Sequence, residues 1–264
     1  MKKILLFSLA FLAVHSLNAK LVTETVTYNR EGVQLQGYLA YDDAKVTPGK
    51  TPGVLVIHEW WGLNDYAKTR ANDLAALGYV AFAADMYGQG QNTDDPKKAG
   101  ELAGQLYGKP LLAQRAQAGL DQLKKSHAVD PTKLAAIGFC FGGSASQALA
   151  YTGAPLLGIV SFHGSPVPAP ADAAGKVKTQ FLLLNGAIDP MVPAAARADH
   201  EKSLEAAKID YQSINYSGAL HAFTNPGADK VAAEKGMTGK VGYNEPAARR
   251  SWKQMQIFFD EILR

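Results

Sequence analysis

Past residue 20 the chain opens with β-branched and polar residues interleaved, Val22, Val26 and Tyr28 among Thr and Glu, and this predicts a strand over residues 22–28. Residues 33–41 read as its partner, with Glu31 and Gly32 as the turn. Residues 42–52 are polar, contain Pro48 and Gly49, and read as a loop. Val54, Leu55, Val56 and Ile57 then form an unbroken aliphatic run, the pattern of a parallel strand covered on both faces. Helical spacing over residues 69–77 stops at Gly78, and residues 79–84 read as a second buried strand. A helix is predicted over residues 111–123, a strand over 133–137 and a helix over 144–150. Strands at 157–162 and 181–184, a helix at 194–207, a strand at 211–216 and a helix at 247–263 complete the series. Strands alternating with helices predict an α/β fold: a mostly parallel sheet with helices on both faces and the leading hairpin as an antiparallel edge. In such sheets ligands bind at the carboxyl ends of the strands.

Composition fits this picture. The chain has 264 residues, 47% of them hydrophobic, enough for one sizeable core without internal repeats. Met1, Lys2 and Lys3 precede an apolar run from Ile4 to Val14 and a small residue, Ala19. That order is a signal peptide over residues 1–19, although Leu17 departs from the small residue usual at its position. The mature chain is then expected over residues 20–264, in the periplasm or secreted. The apolar run is too short to span a bilayer, and no later segment is apolar enough, so no stable membrane insertion is expected. Losing Lys2 and Lys3 takes the formal charge from +3 to +1. A nearly neutral chain without a basic stripe gives no electrostatic case for nucleic acid. The sequence holds a single cysteine, Cys140, so an intramolecular disulfide is impossible. In an oxidising compartment a lone thiol calls for a reason.

Cys140 lies between Gly138 and Gly142, with Gly143 following, between a predicted strand and a predicted helix. This is the G-x-nucleophile-x-G elbow with cysteine in place of serine. The turn holds the nucleophile at strained angles, and the helix N-terminus favours a thiolate and a developing oxyanion. The backbone N–H of Phe141 is the expected oxyanion donor. Read alone, Cys140 would be a buried structural thiol; the two flanking glycines in a strand–helix context favour chemistry.

An elbow needs a carboxylate and then a histidine later in the chain. Asp189 follows the strand at 181–184, and His221 follows the strand at 211–216. His221 would take the thiol proton and Asp189 would fix its tautomer. His163 ends a strand and could line the site, but it precedes Asp189; His58 could neighbour it; His127 and His200 have no motif around them. No metal-ligand spacing occurs, and neither metal nor cofactor is expected.

These segments resemble the dienelactone hydrolase family of α/β-hydrolases. The resemblance rests on residues 58–63 and 84–88, the elbow around Cys140, residues 186–189 and residues 221–223, and it covers essentially the mature chain. It implies an ester or lactone hydrolase with Cys140, Asp189 and His221 as its triad. It also implies that Glu59 is the extra carboxylate beside the nucleophile and that the Trp60 N–H is the second oxyanion donor. From the residues alone, Glu59 could tune the thiol's charge state or form an ordinary surface ion pair.

One departure concerns the substrate. The family's substrate-binding arginine shortly after the histidine is replaced here by Asn225, and the other arginine region offers only Lys97 and Lys98. Lysine supplies charge without the planar fork. Trp60, Trp61, Tyr87 and Phe223 suggest an aromatic substrate pocket, with Asn225 at its charge-selecting position. The expected enzyme is a monomer acting on a small-molecule ester or lactone. Acyl transfer or narrow carboxylesterase activity would use the same residues. A thiol sensor or binding protein on the same scaffold stays open, weakened by the missing second cysteine.

Overall fold

The computed structural model describes residues 20–263; the expected leader, residues 1–19, lies outside the described residues. In chain order the elements are β1 (Leu21–Arg30), β2 (Val33–Asp42), β3 (Thr51–Ile57), α1 (Asp65–Ala76), β4 (Val80–Ala84), α2 (Pro96–Gly104), α3 (Pro110–Leu123), β5 (Val129–Phe139) and α4 (Phe141–Tyr151). There follow β6 (Gly158–Phe162), β7 (Gln180–Gly186), α5 (Ala194–Ala206), β8 (Tyr211–Tyr216), α6 (Ala228–Glu234) and α7 (Glu245–Ile262).

The strands form an eight-stranded sheet in the order β1-β2-β4-β3-β5-β6-β7-β8. β1 and β2 run antiparallel to each other, and β2 runs antiparallel to β4. The remaining pairs are parallel. The expected α/β architecture with an antiparallel edge is therefore present. The β1–β2 turn is Glu31 (φ 51°) and Gly32 (φ 78°), the double positive φ of a type I′ hairpin.

Every residue of β4 and β6 is buried, as the aliphatic runs require for a doubly covered sheet. Alternation assigns the faces. Leu55, Ile57, Phe82 and Ala84 pack in one core cluster, beside Leu120 of α3 and Leu149 of α4. Val54, Val56, Ala81 and Ala83 pack in the other, beside Leu74 of α1 and Phe259 of α7. Parallel strands end on the same edge, so the loops after β3, β4, β5, β6, β7 and β8 converge there.

Several boundaries differ from the sequence pattern. β5 runs over eleven residues instead of five, and α4 starts immediately after Cys140 instead of at Ser144. α1 begins at Asp65, where Asn64 caps it by accepting the Ala67 N–H at 3.3 Å. α2 and α6 carry no predicted counterpart. Among the described residues, no helix is long and apolar enough to cross a membrane.

Candidate active site

The loops after β3, β5, β7 and β8 bring Glu59, Trp60, Trp61, Cys140, Met191, His221 and Asn225 around one cavity of about 170 Å³. Cys140 is the residue between β5 and α4, at φ 52° and ψ −115°. A β-carbon is disfavoured at positive φ, and such strain persists only where surrounding structure holds it. Here the holding contacts are close. A β-carbon on Gly138 would meet the Gly142 carbonyl oxygen at 1.9 Å, and one on Gly142 would meet the Ile57 carbonyl oxygen at 2.2 Å. Strand and helix can approach this closely only because both positions are glycine. The Cys140 N–H is shared between the Phe162 carbonyl (3.0 Å) and His163 Nδ1 (3.2 Å). The Phe141 N–H lies in the first turn of α4, where helical N–H groups lack intrahelical acceptors.

Asp189 sits in the turn after β7. Its Oδ1 accepts the N–H groups of Met191 (2.7 Å) and Val192 (3.2 Å), and its Oδ2 faces His221 Nδ1 at 2.8 Å. His221 is 3% exposed, and its Nε2 has no hydrogen-bond partner among the described residues. Burial pulls the His221 pKa down, but the neighbouring Cys140 and Asp189 outweigh it and hold it up at about 10. An acidic partner on either side therefore favours a proton on this ring.

Glu59 is buried, and its Oε2 accepts a hydrogen bond from Asn225 Nδ2 at 2.8 Å. Burial raises its pKa to about 7, against the lowering effects of Asn225, His221 and Arg70. Asn225 therefore lines the cavity with its amide already engaged, and the surface ion pair considered for Glu59 does not occur. The sign of the stability effect follows. A buried carboxyl with a raised pKa is carried without cost below its free value of 4.5, and stability is lost as pH rises from there through about 7. Glu59→Gln keeps an acceptor for Asn225 but cannot ionise. It should match the parent at about pH 4, below the free carboxyl value, and exceed it by about 3 kcal/mol at pH 8, at 1.36 kcal/mol per pKa unit. Urea unfolding at the two pH values measures this; no gain at pH 8 would mean that the burial cost is already met.

Two of the five residues expected around the substrate pocket lie elsewhere. Phe223 is fully buried against Tyr216 and His163 and belongs to the core. Tyr87 is 8% exposed, does not line the cavity, and donates its hydroxyl to the Trp60 carbonyl at 2.8 Å. Trp60, Trp61 and Asn225 do line it. The aromatic count predicted rings but could not say which side of the loop they served. Lys97 and Lys98 lie on α2, outside the lining, and Lys98 pairs with Glu101 at 3.9 Å.

The sequence pattern missed an apolar part of the cavity lining. Ala228 and Val231 of α6, with Met237 and Val241 after it, line the cavity. Only the apolar spacing of Ala228, Val231 and Ala232 hinted at it. The pattern also left His163 undecided. It is fully buried behind Cys140, where burial and the charge on His221 push its pKa well below 6.5. Its Nε2 pairs with Thr224 Oγ1 at 2.8 Å, so its neutral ring carries the proton there and accepts from Cys140 at Nδ1. Among the described residues, no cluster of three or more His, Cys, Asp or Glu is placed to hold a metal ion.

An eight-stranded, mostly parallel sheet with an elbow thiol, a strand-end carboxylate and a strand-end histidine defines an α/β-hydrolase. The chain belongs to the dienelactone hydrolase family, whose sequence profile matches residues 35–263. "Protein usf" of Aquifex pyrophilus is 31% identical over 247 residues, covering 91% of this chain and 99% of that protein. A protein of Aquifex aeolicus (strain VF5) with the provisional name carboxymethylenebutenolidase is 29% identical over 248 residues, covering 91% and 99%. Among solved structures, a dienelactone hydrolase-like promiscuous phosphotriesterase from metagenomic libraries superposes with a TM-score of 0.87 at 38% identity, covering 94% of this chain and all of that one.

Proposed function

We propose that this hydrolase cleaves a neutral carboxylic ester or lactone by acyl transfer to Cys140. The Cys140 thiol gives its proton to His221 Nε2 and Sγ attacks the carbonyl carbon; the C=O π electrons move onto the carbonyl oxygen, which the N–H groups of Trp60 and Phe141 receive. Collapse breaks the C–O bond, and the leaving alkoxide takes a proton from His221 Nε2. Water then attacks the thioester, giving a proton to His221 Nε2, and the thiolate leaves as the carboxylic acid forms. The observation that carries this reading is the buried Asp189–His221 contact of 2.8 Å, with Nε2 unpaired in the cavity that holds Cys140. Mass spectrometry after rapid quenching should find the substrate's acyl mass on the Cys140 peptide. A thiol sensor would need neither Asp189 nor His221.

Substrate neutrality is supported by the lining. Among the described residues it contains no lysine or arginine, its ionisable groups besides Cys140 are Glu59, Tyr107 and His221, and Ala228, Val231, Met237 and Val241 make part of it apolar. A substrate carboxylate would meet no lysine or arginine there; the one cationic group of the lining, His221, is already faced by Asp189 and Cys140, and Glu59, which ionises at about pH 7, adds negative charge. A charge-assisted contact is worth roughly 1.5–3 kcal/mol, so its absence removes about ten- to hundredfold of selectivity for an anion. We expect kcat/KM at pH 8 for a neutral lactone to exceed that for its carboxylated counterpart by about tenfold or more, on that same scale. A carboxylated substrate favoured a hundredfold, with the preference eroded by salt, would overturn this reading. The solved relative named as a promiscuous phosphotriesterase makes a neutral phosphotriester a natural second substrate class for the assay.

A further inference from the structure

We infer that His58 is the positioning residue of the oxyanion hole, fixing the peptide that carries the Trp60 N–H. The inference rests on the acyl-transfer reading above. His58 is the first residue after β3, is fully buried and does not line the cavity. Both ring nitrogens are in use. Nε2 accepts the Met86 N–H at 3.3 Å, so the proton sits on Nδ1, which donates to the Glu59 carbonyl at 2.5 Å. The same carbonyl accepts the Gly62 N–H at 3.2 Å.

The Glu59 carbonyl and the Trp60 N–H belong to one peptide unit. In a planar trans peptide they point in opposite directions, so holding the carbonyl sets the direction of the N–H. Among the described residues the Trp60 N–H has no acceptor within the protein. The following peptide is held in the same way, by the Tyr87 hydroxyl on the Trp60 carbonyl at 2.8 Å. The His58 ring also stacks on Phe141, which supplies the other donor, with centroids 5.8 Å apart and planes 16° apart. One imidazole thus touches both halves of the hole, and Met86 and Tyr87 anchor it to the loop after β4.

Burial pushes the His58 pKa down to about 4, which keeps Nε2 free to accept the Met86 N–H at neutral pH. With both nitrogens engaged and the ring outside the cavity, His58 cannot serve as a second proton-transfer base. Its effect should therefore fall on the transition state and leave the reactivity of the thiol unchanged.

Two readouts on the full mature protein separate these roles: steady-state hydrolysis of p-nitrophenyl butyrate, and alkylation of Cys140 by iodoacetamide, which forms no oxyanion. Losing an oxyanion donor costs about 10²–10³ in kcat. His58→Ala should lower kcat by about 10²-fold, the lower end of that range, with KM and the alkylation rate within about threefold of the parent. His58→Gln offers an amide donor and a carbonyl acceptor and should recover at least tenfold of the loss, an order of magnitude within the same range. Hydrolysis unchanged in His58→Ala overturns the inference. So does an alkylation rate that falls in step with kcat, because the thiol itself would then be damaged. Should the alanine cavity prevent folding, Tyr87→Phe removes only a hydroxyl and should cut kcat by about fivefold, a fraction of a full donor, with alkylation unaltered. An unchanged kcat there overturns the lock. Activity persisting in Cys140→Ala would instead refute the acyl-transfer reading, so the two failures are distinct.

Discussion

Cys140→Ala is expected to lower kcat for a neutral aryl ester by at least ~10⁴-fold, since knocking out the nucleophile of a catalytic unit costs up to about 10⁶. The fold should survive. Alanine and cysteine both carry a β-carbon at the strained φ of 52°, so the backbone penalty is shared by parent and variant. Cys140 is partly exposed, and its N–H donates to the Phe162 carbonyl and His163 Nδ1, contacts that alanine retains. What disappears is the only sulfur nucleophile in the chain, because the sequence has a single cysteine. The rate that remains should come from binding and the oxyanion donors alone. Steady-state kinetics, circular dichroism and mass spectrometry of quenched reactions test this together. A folded alanine variant with more than a tenth of the parental rate would mean that another group attacks the carbonyl, and the mechanism would have to be rebuilt around it.

The central sheet was legible because its interior strands are apolar on both faces. Residues 54–57 and 79–84 have few polar positions that could place them elsewhere. The edges of elements were harder to read where local chemistry pulls against the tertiary structure. β5 begins at Val129, but Asp130, Pro131 and Thr132 look like a turn, and Asp130 Oδ1 does accept the Thr132 N–H at 2.9 Å. Pairing with β3 holds Asp130 against Pro52 and resumes at Leu134 against Gly53, so the turn-like residues between are carried in the strand as a bulge. Likewise α4 starts at Phe141 although Gly142 and Gly143 are poor helix formers. They are tolerated because any side chain there would strike the Ile57 carbonyl or Ser161 Oγ. α2, with Asp95 as its cap and Pro96 at its first turn, carried a start signal that went unused.

The site divides in the same way. Cys140, Asp189 and His221 could be proposed together because an elbow fixes the order of its partners along the chain. The contact of 2.8 Å between His221 and Asp189 is the geometric counterpart of that order. Asn225 could be placed at the pocket but not oriented. Its amide faces Glu59, a residue 166 positions earlier, and no local pattern encodes such a meeting. The misplacement of Tyr87 and Phe223 has the same cause. Both follow strand ends, yet a bulky ring beside a loop can turn into the core or into the cavity. Burial against His163 and Tyr216 decided this for Phe223, and the Trp60 carbonyl decided it for Tyr87.

Asp189→Asn should reduce kcat by about 10⁴-fold with little change in structure, the magnitude known for this substitution in a triad that keeps its geometry. The reason lies in the donors around the carboxylate. Oδ1 accepts two turn N–H groups, from Met191 and Val192, and Oδ2 faces His221 Nδ1. An asparagine must keep its oxygen toward the two N–H groups, since turning its NH₂ there would bury opposed donors at about 1–3 kcal/mol each. Its NH₂ therefore faces His221, which can answer only by presenting an unprotonated Nδ1. The ring proton then moves to Nε2, the nitrogen proposed to accept the thiol's proton. The pH dependence adds a second test. Cys140 and Asp189 together outweigh burial to hold the His221 pKa at about 10, so an imidazolium able to protonate a leaving alkoxide, as proposed, persists until pH rises through that value. Removing the Asp189 charge lowers that pKa, and the alkaline fall in kcat/KM for an alkyl ester should move to lower pH. A variant that stays within tenfold of the parent, with its alkaline limb unmoved, would show that Asp189 does not orient the base. A 10⁴-fold loss with the limb displaced would identify Asp189 as the group that sets both the tautomer and the charge of His221.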